Sequence, residues 1–214
     1  MSRKKRDTPI VSTSCEAIRV IDDWLNPEGA EAMRSLGLSR QFIDIEYGGS
    51  LYPSISVCTD EMAETMKAPL GAVVGGEVNI VNSIFRLSGE DVHTGMGNDF
   101  RVHWDAEMGD YTAIMYLNKA PYALGGTGFW RHVPTGWTTV KNLECATATY
   151  EQLCVDSTDG LAWELHSLVG SQWNRLGIYR SDLIHSQWPL RGWGSTKETS
   201  RLVWVCFFDM PPEG

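Results

Sequence analysis

From Glu77 onward the chain reads as short strand-like segments in series, separated by Gly- and Pro-rich turns, with no regular strand–helix alternation. Val78, Ile80, Ser83, Phe85 and Leu87 open the series. Phe100–His103, Tyr111–Leu117, Gly128–His132, Arg175–Tyr179, Leu183–His185 and Leu202–Phe208 continue it. Such a pattern specifies an antiparallel sandwich or barrel and excludes a doubly wound parallel sheet. Leu202–Phe208 is also the longest apolar run, far too short for a membrane-spanning helix.

Ahead of the series the chain is mixed. Ala17–Ile21 reads as a short strand, and Asn26-Pro27 as an N-cap followed by a first-turn proline, with Gly37 as a helix stop. Tyr47–Ser50 and Tyr52-Pro53 read as loops, and Asp60–Met66 as a second helix capped by Thr59. Leu143–Gln172 interrupts the strands with helix-forming residues, and Ala146–Leu153 and Leu161–Val169 are both expected to be helical. The expected organisation is a flexible basic N-terminus over residues 1–14, then a single domain over 15–214 with a helical insertion at about 133–173 lying over the open end of the barrel.

Charge and cysteine content narrow the function classes. There are 18 basic against 27 acidic side chains, a net of −9, so a domain-wide nucleic-acid footprint is disfavoured. The run Arg3–Arg6 is local and is followed by no apolar signal core. Five widely spaced cysteines, an odd number without a CxxC, fit a reducing, cytoplasmic compartment better than a disulfide framework or a structural zinc site.

The chemistry-bearing motif is His103-Trp104-Asp105. In an extended segment residues i and i+2 share a face, so one imidazole and one carboxylate can grip one metal. Roughly 0.6 such triplets arise by chance in a chain of this composition, so the triplet alone is weak. Its neighbourhood carries more: Leu117-Asn118, then Gly125-Gly126-Thr127, then Ile184-His185-Ser186, then Ser200-Arg201-Leu202 opening the last strand.

This order resembles the Fe(II)/2-oxoglutarate-dependent oxygenases, most closely their small prolyl-hydroxylase-like branch. Val20–Leu25 before a helix and the later Tyr52-Pro53 agree with that lead-in. The resemblance implies a mainly β fold with flanking helices, a double-stranded β-helix of the jelly-roll or cupin-like kind. It implies Fe(II), 2-oxoglutarate as co-substrate, and O₂. It also implies His103, Asp105 and His185 as iron ligands, with two further iron positions taken by the C1 carboxylate and C2 keto oxygens of 2-oxoglutarate. Arg201 becomes the clamp on the distal carboxylate.

Several readings stay open at this level. His103 and Asp105 also fit a surface pair, and His185 a buried core histidine. Arg201 lies sixteen residues after His185, further than the family's usual ten or so, and Val203 stands where a serine is common. Lys197 is therefore a rival clamp, although it sits in a loop-like stretch. Tyr111 or Tyr116 is a candidate hydrogen-bond donor to 2-oxoglutarate. Trp130, Arg131, His132 and Trp188 are candidates for the substrate mouth, with packing as the competing role for each. His93 and His166 are poorer ligand candidates.

The expected activity is hydroxylation of an unidentified small molecule or protein residue. Asp105 argues against halogenation, since halogenating relatives lack this carboxylate. Two other classes compete: a catalytically degenerate metal- or ligand-binding relative, and a cupin-type metal-binding barrel with different chemistry.

Overall fold

The computed structural model describes residues 18–47, 50–90, 102–140 and 147–210. In chain order the elements are β1 (Arg19–Ile21), α1 (Pro27–Ser39), β2 (Ile43–Tyr47), β3 (Ser50–Val57), α2 (Asp60–Val74), β4 (Asn79–Ser88), β5 (Tyr111–Tyr116), β6 (Gly126–His132), α3 (Ala148–Asp156), a 3-10 turn (Gly160–Ala162), β7 (Trp163–Gly170), β8 (Arg175–Arg180), β9 (His185–Trp188) and β10 (Arg201–Asp209). The basic N-terminus, His93, Cys15 and Cys145 lie outside the described residues.

Two antiparallel sheets face each other. The larger has the order β1-β8-β5-β10-β4-β3-β2 and the smaller β7-β6-β9, extended at the β9 edge by a bridge between His103 and His185. From β4 onward the chain alternates between them: β4 large, His103 small, β5 large, β6 and β7 small, β8 large, β9 small, β10 large. That winding is a double-stranded β-helix.

β10 shows how sequence produces the layers. Leu202, Trp204, Cys206 and Phe208 point outward into a core with Met33, Met66, Leu70 and Phe85, covered by α1 and α2. Val203, Val205 and Phe207 point inward. Both faces are covered, so the strand reads as one apolar run rather than an alternation. Trp24 stacks on Trp204 with ring centroids 5.9 Å apart. The α1 start is as the sequence predicts: the Asn26 side chain accepts from Gly29 N at 2.7 Å with Pro27 in the first turn.

Four local expectations are corrected. Gly37 does not stop α1. It lies inside the helix, where an added Cβ would come within 3.1 Å of Leu202 and Phe85, so its role is close packing. Tyr52 and Pro53 belong to β3, not to a loop. The helix capped by Thr59 runs on to Val74, past Pro69. Leu161–Val169 is not helical: Trp163–Gly170 is β7, paired antiparallel with β6, and belongs to the barrel itself. Among the described residues of the expected insertion, α-helix is confined to Ala148–Asp156, with a single 3-10 turn at Gly160–Ala162.

Candidate metal centre

His103, Asp105 and His185 converge. Each offers one ligand atom, and all three atoms lie within 4.8 Å of one another. Backbone pairing does this. His103 N donates to His185 O at 2.9 Å and His185 N to His103 O at 2.8 Å, setting the two rings side by side with centroids 4.5 Å apart. Asp105 N donates to Ser181 O at 2.7 Å, which fixes the carboxylate two residues further along.

The protonation of this cluster carries information. His185 Nδ1 lies 2.8 Å from the Leu183 carbonyl, which can only accept, so Nδ1 bears the proton. In the neutral ring Nε2 then presents a lone pair, and it faces Asp105 Oδ2 at 3.2 Å. Two electron-rich atoms at that distance require a cation between or on them, either a proton or a metal. Burial alone would raise the Asp105 pKa. The charge and hydrogen bond of His185, with the charges of His103 and Arg86, outweigh burial and hold it below the usual carboxylate value. Two imidazoles and a carboxylate suit Fe(II) with positions left open.

Arg201 opens β10 on the inward face and is 3% exposed. Its guanidinium has no hydrogen bond or ion pair among the described residues, Nε is buried without a partner, and Cζ lies over the Tyr116 ring, 5.9 Å from its centroid. Burial pulls its pKa down to about 10. Asn118 fixes its backbone on both sides: Nδ2 donates to Ser200 O at 2.7 Å and Oδ1 accepts from Leu202 N at 2.8 Å. Lys197 donates to the Leu38 and Arg40 carbonyls at 3.3 and 2.6 Å and does not line the cavity, whereas Arg201 does.

The remaining candidates divide. Tyr116 is fully buried beneath Arg201; its hydroxyl donates to Thr127 Oγ1 at 2.7 Å, with the Val169 carbonyl at 3.2 Å. Tyr111 is not at the site. Five positions from Tyr116, it faces the other side of β5 and stacks on Phe208 at 5.6 Å. Trp130, Arg131, His132 and Trp188 do not line the cavity either. The register shift opposite Phe129 and Trp130 falls on β7, which skips His166, so β6 keeps its alternation and Trp130 and His132 face the side opposite the cavity-lining Thr127. There Trp130 Nε1 donates to Ser186 Oγ at 2.8 Å and lies edge-on to Trp188. Arg131 pairs with Glu164 on the surface. His132 bridges Asp156 at 2.9 Å and Thr135 at 2.8 Å, tying α3 to the barrel. His166 is exposed on β7.

Tyr179 on β8 was not singled out by sequence. It packs edge-on to His185 at 5.0 Å, lines the cavity, and its hydroxyl has no hydrogen bond among the described residues. Burial, then the nearby Asp105 charge, raise its pKa well above the usual value. No local motif marks it; only strand register places it inside. The cavity that these groups share measures about 830 Å³.

No family model matches the sequence, and no curated protein does. Solved structures do. The non-heme alpha ketoglutarate dependent epimerase SnoN from nogalamycin biosynthesis superposes with a TM-score of 0.55 at 13% identity, covering 89% of this chain and 77% of that one. SnoN is also known in complex with Fe3+, alpha ketoglutarate and nogalamycin RO. The alpha ketoglutarate dependent carbocyclase SnoK gives 0.55 at 13%, covering 90% and 79%. The viral collagen prolyl hydroxylase vCPH from Paramecium Bursaria Chlorella virus-1 gives 0.50 at 10%, covering 89% and 88%. At these identities the likeness is one of fold: the chain is built on the same double-stranded β-helix as these enzymes.

Proposed function

We propose that this protein is an Fe(II)- and 2-oxoglutarate-dependent oxygenase acting as a hydroxylase. One observation carries the reading: a His103–Asp105–His185 cluster with ligand atoms within 4.8 Å opens onto the same cavity as a buried guanidinium that lacks a partner among the described residues. A buried unpaired charge is costly to a fold, so its retention points to an anion that arrives from outside.

In this reading the two imidazoles and the Asp105 carboxylate hold the iron, and the Leu183 carbonyl keeps His185 in the tautomer whose Nε2 is free to ligate. The Arg201 fork takes the distal carboxylate of 2-oxoglutarate through parallel hydrogen bonds, and Asn118 keeps that fork in place. The Thr127 and Tyr179 hydroxyls line the same space as further polar contacts, while Ile114, Val203 and Val205 keep water from it. With both groups bound, iron and 2-oxoglutarate supply the oxidising chemistry, one O₂ oxygen going to a substrate C–H and the other into succinate as CO₂ leaves.

Hydroxylation is favoured over halogenation because Asp105 occupies the position that a halide would need. Membership of the small prolyl-hydroxylase-like branch is supported by motif order and by the mutual coverage with vCPH. Among the described residues no helix is long and apolar enough to cross a membrane. Cys58 and Cys206 are free thiols, in keeping with a reducing compartment.

The test is Fe(II)-dependent conversion of 2-oxoglutarate to succinate with O₂ uptake, without added substrate and with candidate substrates. Wild-type protein should show slow uncoupled turnover that Asp105→Ala removes. Metal binding with no succinate formed would instead favour a degenerate relative or a cupin-type barrel.

A further inference from the structure

Beyond the metal centre the cavity has a floor built by strand register. Val57, Ile84, Val205 and Ile114 are successive Cα partners across β3, β4, β10 and β5, and all four line the cavity. In the next row Ile55 and Val203 stand on either side of Arg86. Where β3 and β2 carry the large sheet past the barrel, Leu51 and Ile45 join the lining. Branched aliphatic side chains at the inward positions thus make the floor apolar across several strands. On the small-sheet side Trp104 and Tyr150 form an aromatic wall, edge to face at 5.3 Å, with Trp104 packed against the cluster that holds Leu153 and Ile184.

The rim is apolar too. Val57, Val81 and Tyr52 line the cavity and are still 49%, 51% and 38% exposed. Open apolar side chains that converge on one cavity mark a ligand groove, because an occupant would take their surface out of water. The charges of the described lining are placed differently. His103, Asp105 and His185 form the metal cluster, and Arg201 is assigned above to 2-oxoglutarate. Arg86 sits in the row between that of Arg201 and that of Ile84, and its charge acts on Asp105. Glu107 is exposed to water. A space of about 830 Å³ lies toward the upper end of the range that holds a drug-sized ligand, so a free amino acid beside 2-oxoglutarate would fill little of it.

We infer that the substrate is an uncharged apolar small molecule with the bulk of a fused ring system, its body lying against the β3–β4–β10 floor and the Trp104–Tyr150 wall. This deepens the oxygenase reading above and rests on it. Apolar contact on two sides selects for bulk without directional demands, and a charge buried there without a partner would cost more than the same area of hydrocarbon gains.

The experiment uses redox-inactive Mn(II) in place of iron, saturating 2-oxoglutarate, and three probes titrated by calorimetry: benzyl alcohol, 2-naphthalenemethanol and 2-naphthoate. Wild-type protein should bind 2-naphthalenemethanol about tenfold more tightly than benzyl alcohol, the scale of burying one more aromatic ring, and about tenfold more tightly than the carboxylate. Val57→Asp, at the rim, should weaken 2-naphthalenemethanol binding by about tenfold or more. Leu161→Asp, at an exposed leucine outside the cavity, should leave it unchanged. Benzyl alcohol bound as tightly as 2-naphthalenemethanol overturns the inference, as does 2-naphthoate bound equally well or better. So does an affinity that Val57→Asp leaves unchanged or that Leu161→Asp lowers to the same extent. If Val57→Asp does not fold, Val57→Thr, close to valine in shape, provides the same comparison with a loss of about threefold. Failure of 2-oxoglutarate itself to bind the Mn(II) protein strikes the parent reading instead. The two alcohols titrated into metal-free wild-type and Val57→Asp protein then still decide whether the cavity selects apolar bulk.

Discussion

Replacing Arg201 with Met should make the ligand-free protein more stable while abolishing 2-oxoglutarate binding. Burial lowers the Arg201 pKa from that of a free guanidinium to about 10, which at about 1.4 kcal/mol per pKa unit is a cost of roughly 3 kcal/mol to the folded state. The group is 3% exposed, so solvent screens little of this. The folded pKa lies below the unfolded one, so the cost is present in full below about pH 10 and fades as pH rises above it. Methionine keeps much of the stem and removes the charge, and no hydrogen bond among the described residues is lost with it. Allowing for imperfect packing, the gain should be about 1–3 kcal/mol, or a rise in Tm of roughly 3–10 °C for a domain this size. Thermal melts with and without Mn(II) and 2-oxoglutarate check both halves. The wild type should be stabilised by the co-substrate and the variant should not. A variant that melts lower than wild type without ligand and still responds to 2-oxoglutarate would mean that Arg201 is neither a destabilising buried charge nor the 2-oxoglutarate clamp.

Three other outcomes follow from single contacts. Asp105→Ala should weaken metal binding by at least about 10–100-fold and eliminate succinate formation, as measured by metal titration and product assay. Asn118→Ala should weaken 2-oxoglutarate binding without touching it, because it frees the backbone on both sides of Arg201, and should cost about 1–3 kcal/mol in urea denaturation. Gly37→Ala should destabilise by about 1–3 kcal/mol even though alanine is the better helix former, because its Cβ meets Leu202 and Phe85 at 3.1 Å.

The parts legible in the sequence were those written in local chemistry. The Asn26 and Thr59 caps, the buried run of β10 and the same-face spacing of His103 and Asp105 each need only a few neighbouring residues to be recognised. What failed depended on partners distant in sequence. β7 was misread as helix because its outward face carries Leu165 and Leu168, 37% and 44% exposed, and so lacks the polar alternation of a half-buried strand. With β7 restored to the barrel, the expected helical cover shrinks to α3, which still supplies Tyr150, Cys154 and Ser157 at or just beyond its end to the cavity wall. Alternation along β6 puts Trp130 and His132 on the face opposite the cavity-lining Thr127, while Arg131 pairs with Glu164 at the surface, and only strand pairing reveals which face is inward. Tyr111 and Tyr179 were exchanged in role for the same reason. Which face of a strand points inward is settled by its neighbours in the sheet, and only pairing shows that Tyr179 looks toward His185 while Tyr111 looks toward the helices.

Whether one cavity binds iron and 2-oxoglutarate together is read directly by anaerobic titration. Fe(II)-loaded protein is mixed with 2-oxoglutarate without O₂ while the visible spectrum is followed. One equivalent of 2-oxoglutarate should produce the charge-transfer band of a chelated 2-keto acid, and the band should be lost in Asp105→Ala and need far more 2-oxoglutarate in Arg201→Met. Fe(II) binding that leaves the spectrum unchanged at saturating 2-oxoglutarate would contradict it.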